Sequence, residues 1–123
     1  MEKEIIIKIF DVVKTNLPQG RETEGGVIGG DTLREAIEDA WDKYERVVVS
    51  FENIVKMTRT FSDEAFGKLL ETHTLEEFNQ KLYFPDAREA TVKELNDAMK
   101  LRLKIIVSKR EREREARESG LGL

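Results

Sequence analysis

The chain has 123 residues, 39 % hydrophobic and 37 % charged, a length suited to one domain with one modest core. No apolar run approaches the roughly 20 residues that span a bilayer, and the start, MEKEIIIKIF, lacks the pattern of a signal peptide, so the cytoplasm is the expected compartment and no membrane is expected as a partner. There is no cysteine, hence no disulfide, no thiolate metal site and no cysteine nucleophile.

The net charge of −4 is unevenly spread. From Lys100 onward there are eight basic and four acidic residues, which leaves −8 on the rest of the chain. So acidic a body does not suit nucleic acid, whose binding draws mostly on phosphate neutralisation.

In chain order, EIIIKIF (4–10) is β-branched and predicts a strand. Residues 16–30 hold one of the two prolines and five of the eight glycines and predict a long loop. The stretch 31–45 predicts a helix opened by a Thr32–Glu35 capping box, with Leu33, Ile37, Ala40, Trp41 and Tyr44 on one face. RVVVSF (46–51) does not alternate, which predicts a central strand covered on both faces. A helix is expected next, capped by Thr60 with Asp63 completing the box. Its buried stripe is Ala65, Phe66, Leu69 and Leu70, which leaves Thr60, Glu64, Gly67 and Glu71 outward. Thr74 and Glu77 predict another capping box, KLYFPD (81–86) a strand stopped by Pro85, and Thr91 with Glu94 the start of a long helix. Leu95, Met99, Leu103, Ile106 and Val107 line that helix. A domain over 1–107 is then followed by 108–123, a charged helical extension or disordered tail. Alternating strands and helices imply a single small α/β domain, its mostly parallel or mixed sheet of about four strands covered by helices.

Few residues offer chemistry. His73, the one histidine, cannot make a multi-histidine metal site, and a helix separates it from Ser62 by roughly 16 Å, too far for a nucleophile–base pair. Asp63 and Glu64 are neighbours that point about 100° apart on a helix and so do not cooperate as an acid–base pair. No catalytic residue, metal or cofactor is therefore expected. Glycines before a helix start can bind an anion, which makes Gly29, Gly30, Thr32 and Arg34 a weak anion site within the 25–32 loop. That loop lacks the lysine of a phosphate-cradling motif. Gly67 costs about 1 kcal/mol in a helix interior, and on a polar stripe it would let a partner's backbone approach closely.

GRETEGGVIGGDTLREAI, VVVSFENI and TRTFSDEAFGKL together resemble a STAS-like domain family of unknown function, whose members resemble the sulfate-transporter and anti-sigma-factor-antagonist (STAS) domain fold. The matching positions are Gly30, Leu33 and Arg34, then Val47 to Phe51, then Thr60, Phe61, Asp63, Glu64, Phe66 and Gly67, within a resemblance over roughly residues 5 to 105. The resemblance implies a non-enzymatic switch that binds a protein partner, a histidine-kinase-like ATPase, and is released by phosphorylation of a serine at a helix start after the central strand. That serine falls on Arg59 here, which cannot accept phosphate, so the neighbouring hydroxyls Thr58, Thr60 and Ser62 are the phosphoacceptor candidates. The expected partner-binding residues are Thr60, Asp63, Glu64, Gly67 and Glu71, and a homodimer is a further expected assembly. The alternatives are a phosphate- or nucleotide-binding module using the glycine-rich loop, and a structural subunit.

Overall fold

The computed structural model describes residues 1–121, with side chains described as far as Ser119. It is an α/β domain. β1 (Glu2–Lys8) runs into a short α1 (Ile9–Val13), and after a long loop come α2 (Gly30–Trp41), β2 (Tyr44–Ser50) and α3 (Arg59–Ala65). A 3-10 turn (Gly67–Glu71), α4 (Leu75–Lys81), β3 (Leu82–Tyr83) and α5 (Glu89–Leu121) complete it. The sheet is wholly parallel in the order β1-β2-β3, three strands where about four were expected.

β1 ends two residues earlier than its β-branched run, because Ile9 and Val13, four apart, bury the same side of α1. Lys14 then closes that helix in the left-handed region at φ 60°. The 16–30 loop has structure of its own. Glu24 and Val27 exchange backbone hydrogen bonds of 2.9 Å around Gly25 and Gly26, both at positive φ, the geometry of a tight hairpin turn.

β2 is central, yet only one face of the sheet is packed. Val47 and Val49 are fully buried with Ile7 and Leu82, in the register Ile7↔Val49 and Val47↔Leu82. On the opposite face Glu4, Ile6, Lys8, Arg46 and Tyr83 are exposed and Val48 is half-buried. The expectation of two covered faces is thus corrected: a run of three valines is also compatible with a half-exposed middle residue. Phe51, Phe66, Phe78 and Phe84 form an aromatic cluster with ring centroids 5.8 to 6.3 Å apart. Trp41 is buried, with its ring stacked on His73 at 3.7 Å, and His73 Nε2 lies 3.0 Å from Glu38 Oε2.

α5 meets α3 and the 3-10 turn through Leu95 and Met99, both buried, with Leu103 and Ile106 partly so. Val107, expected on the inner face, is 50 % exposed. Every residue from there to Ser119 is exposed.

Candidate functional site

The segment 58–71 starts differently from its expected form. The cap of α3 is Thr58, whose Oγ1 accepts from the Phe61 N–H at 3.2 Å, and not Thr60. Both threonines have the right chemistry, but only Thr58 has the extended backbone of a cap. Thr60 lies in the first helical turn, exposed, its hydroxyl 3.1 Å from that of Thr58. α3 is then buried almost throughout, from Phe61 to Ala65.

Two carboxylates go under with it. Asp63 is 7 % exposed and Glu64 is 4 % exposed, so neither belongs to an outward face. A buried charge persists only when paired, and here four cations from separate segments converge. Arg21 Nη1 donates to Asp63 Oδ2 at 2.6 Å and Arg102 Nε donates to Oδ1 at 2.9 Å, while Arg102 Nη2 also reaches Oδ2. Arg34 donates to both the backbone oxygen and Oε2 of Glu64, Lys68 Nζ lies 3.0 Å from its Oε1, and Arg21 lies 3.5 Å from the same atom. Arg102 Nη1 extends the network to the exposed Glu71 at 3.3 Å. The network therefore ties the loop, α2, α3, the 3-10 turn and α5 into one unit.

Burial alone would raise both acids. The hydrogen bonds and charges of Arg102 and Arg21 outweigh it for Asp63, as those of Arg34 and Lys68 do for Glu64, and both stay below the usual carboxylate range. Asp63 and Glu64 are thus ionised at neutral pH and hold no proton to give.

Gly67 belongs to the same interior. A Cβ there would lie 2.6 Å from Asp63 Oδ1 and 3.5 Å from the Arg102 Cβ, so the absent side chain makes room for the ion pair and not for a partner. This corrects its expected docking role. Of the three phosphoacceptor candidates, Ser62 is 2 % exposed, its Oγ without a hydrogen-bond partner among the described residues, and Thr58 is engaged as the cap. Thr60 is the one in the open.

The glycine-rich anion site is likewise closed. The cap of α2 is Gly29, and the expected Thr32–Glu35 box does not form. The N–H groups of the helix start are already satisfied. Gly29 donates to Thr23 Oγ1, Gly30 to the Gly20 oxygen, Asp31 to the Arg21 oxygen and Thr32 to Asp31 Oδ1, at 2.7 to 3.1 Å. Gly30 lets α2 approach α3 closely, since a Cβ there would sit 2.7 Å from the Phe61 oxygen. Arg34, the remaining member of the expected site, is taken by Glu64.

A groove of about 420 Å³ lies between the 54–57 segment, which leads into α3, and the start of α5, where Arg88, Thr91 and Glu94 face Val55 and Met57. Arg88 Nη2 anchors the groove by donating to the backbone oxygens of Ile54 and Val55 at 3.2 and 3.3 Å. Val55 is 61 % exposed and Met57 is buried, so the groove has an apolar floor and lip with charged walls. Sequence reasoning missed this groove and the cations of the network. The signal for the cations was present: an Asp–Glu pair flanked by Phe61, Ala65 and Phe66 requires buried partners. No helix among the described residues is long and apolar enough to cross a membrane.

No curated protein and no solved structure matches the chain. The sequence profile of the STAS-like domains of unknown function matches residues 29–91, which is 63 of the 123 residues and runs from the cap of α2, through β2 and both buried acids, to the start of α5. The chain belongs to that family of STAS-like domains of unknown function.

Proposed function

We propose that this STAS-like domain is a non-enzymatic regulatory module of anti-sigma-factor-antagonist type. Its docking surface comprises the exposed first turn of α3, Arg59 and Thr60, together with the groove at 54–57. Thr60 is the switch. The observation that carries this reading is the contrast among the three hydroxyls: Thr60 is exposed at a helix start after the central strand, whereas Ser62 is buried and Thr58 is a cap. A phosphate on Thr60 adds about −1.5 to −2 charges beside the exposed Arg59, three positions after Met57 of the groove, so it changes the partner surface and leaves the buried network alone. The partner class is a protein, a histidine-kinase-like ATPase by family resemblance. The satisfied N–H groups at the α2 start argue against the nucleotide-binding alternative.

Pull-down from the native host with mass spectrometry tests the reading. Val55→Asp and Thr60→Glu should each change the captured partner's affinity while the unfolding midpoint stays unchanged, and Thr60→Ser should bind as the parent does. Unaltered capture by both Val55→Asp and Thr60→Glu would move the docking surface elsewhere.

A further inference from the structure

β1 is an edge strand, with β2 on one side and nothing among the described residues paired to the other. Glu2 donates its N–H to the Lys43 oxygen at 3.2 Å, and the parallel register continues from Glu4↔Arg46 to Lys8↔Ser50. In a parallel ladder each residue turns both backbone groups to the same side, and the side alternates along the strand. Glu2, Glu4, Ile6 and Lys8 therefore address β2. Lys3, Ile5 and Ile7 aim their N–H and C=O groups at the open side.

Exposed edges are normally blunted by a proline, a bulge, shortness or charged side chains, above all lysine, and the charges of β1 are confined to its two ends, which leaves Ile5 to Ile7 uninterrupted. β1 has seven residues, no proline, no glycine and three consecutive isoleucines. Ile6 is 60 % exposed and begins an apolar row that crosses the bare sheet face through Val48 to Tyr83, in the register Ile6↔Val48 and Val48↔Tyr83. On the bare face the strand's charges are also segregated, with Glu2 and Glu4 at its start and Lys8 at its end, while Lys3 belongs to the other face.

We propose that a second copy of this chain pairs with β1 in antiparallel fashion, about a twofold axis through Ile5, to form one six-stranded sheet. The backbone selects the register. Outward-facing residues must oppose outward-facing residues, and only centring on Ile5 uses all three: Ile5 faces the partner's Ile5, and Lys3 faces the partner's Ile7. A shift of two residues leaves one of the three unpaired, and a shift of one sets outward groups against inward ones. The charges select the direction. Antiparallel pairing puts Glu2 opposite the partner's Lys8 at both ends, whereas parallel pairing would stack Glu2 on Glu2. Ile6 stands directly opposite the partner's Glu4 and is a diagonal neighbour of the partner's Ile6, so the two apolar rows meet at the axis offset by one step. The contact is isologous and closes at two copies.

Sedimentation equilibrium at high micromolar concentration should give twice the 14.2 kDa of one chain. Lys8→Glu sets like charges opposite each other at both ends and should raise the dissociation constant about tenfold. Adding Glu2→Lys to it should restore the dimer. Lys3→Pro removes an N–H that points away from β2, so it should leave the fold intact by circular dichroism and yield monomer. A parent chain that is monomeric at that concentration overturns the proposal. So does a dimer indifferent to Lys8→Glu and Lys3→Pro, which would assign the contact to another surface, or failure of Glu2→Lys to rescue.

Discussion

Replacing Arg102 by alanine tests whether the buried network holds α5 to the body. Asp63 is 9 % exposed at its side chain and Arg102 is 12 % exposed, so this pair lacks the solvent screening that makes surface pairs weak. Removing one partner of a buried pair costs about 3–5 kcal/mol, because the other charge is left uncompensated. Arg21 still reaches Asp63 at 2.6 Å, but its side chain is 42 % exposed, so it compensates in part. The expected loss is therefore near the lower end, about 3 kcal/mol, or roughly 10 °C in Tm for a chain of this size. Urea unfolding monitored by circular dichroism gives the number directly. Arg102→Met keeps the aliphatic stem beside Gly67 and separates lost charge from lost packing. The double variant Asp63→Asn/Arg102→Ala should be less destabilised than the sum of the single changes by more than about 1 kcal/mol. A loss under about 0.5 kcal/mol for Arg102→Ala, typical of surface changes, would refute the claim that the network is structural.

The same network sets an acid limit. Asp63 and Glu64 titrate below their ordinary range in the folded chain, so their contribution is complete above the unfolded values near pH 4 and fades as pH falls through the folded ones. Midpoints measured from pH 7 to pH 2 should drop steeply below about pH 4 in the parent chain and more gently in Arg102→Ala. Gly67→Ala should destabilise by about 1–3 kcal/mol, despite the helix preference of alanine, because its Cβ would meet the clamped Asp63 oxygen at 2.6 Å; Gly67→Arg should not fold, and a stable Gly67→Arg protein would contradict the packing. Trp41→Ala should cost about 3–5 kcal/mol by urea unfolding, as for other buried large aromatics. Truncation after Lys109 should move Tm by no more than a few degrees in calorimetry, since the residues removed up to Ser119 are exposed.

Local signals proved readable where a single segment supplied both halves of the interaction. The Thr74–Glu77 capping box forms as expected, with reciprocal bonds of 3.0 and 2.9 Å. The α2 stripe of Leu33, Ile37, Ala40 and Trp41 is buried. Ala65, Phe66, Leu69 and Leu70 are buried too, but the one helix expected to carry them ends at Ala65, and Leu69 and Leu70 belong to the 3-10 turn. Interactions made across the chain were readable only as a need. The apolar neighbours of Asp63 and Glu64 call for buried partners, but nothing local names Arg21, Arg34 and Arg102, which lie 30 to 42 positions away. The start of α2 misled for the same reason. The hydroxyl that serves it is that of Thr23, delivered by the loop, so no box inside the helix was needed. Thr91 falls inside α5, which begins at Glu89. The third strand shrinks to Leu82 and Tyr83 because Phe84 turns into the aromatic cluster.

The solvated half of α5 governs how the molecule moves through water. The 14 residues of α5 after Val107 add about 21 Å at 1.5 Å per residue to a body whose radius of gyration is near 13 Å for about 100 compact residues. The particle is a ball with a rod attached, and its frictional drag exceeds that of a sphere of equal mass. A lone copy will leave a gel-filtration column early, at the position of a heavier globule, and will tumble faster about the rod axis than across it. Elution volume and spherical-rotor relaxation fits will therefore overstate its mass, so one tailed copy and two paired copies are told apart only by methods blind to shape.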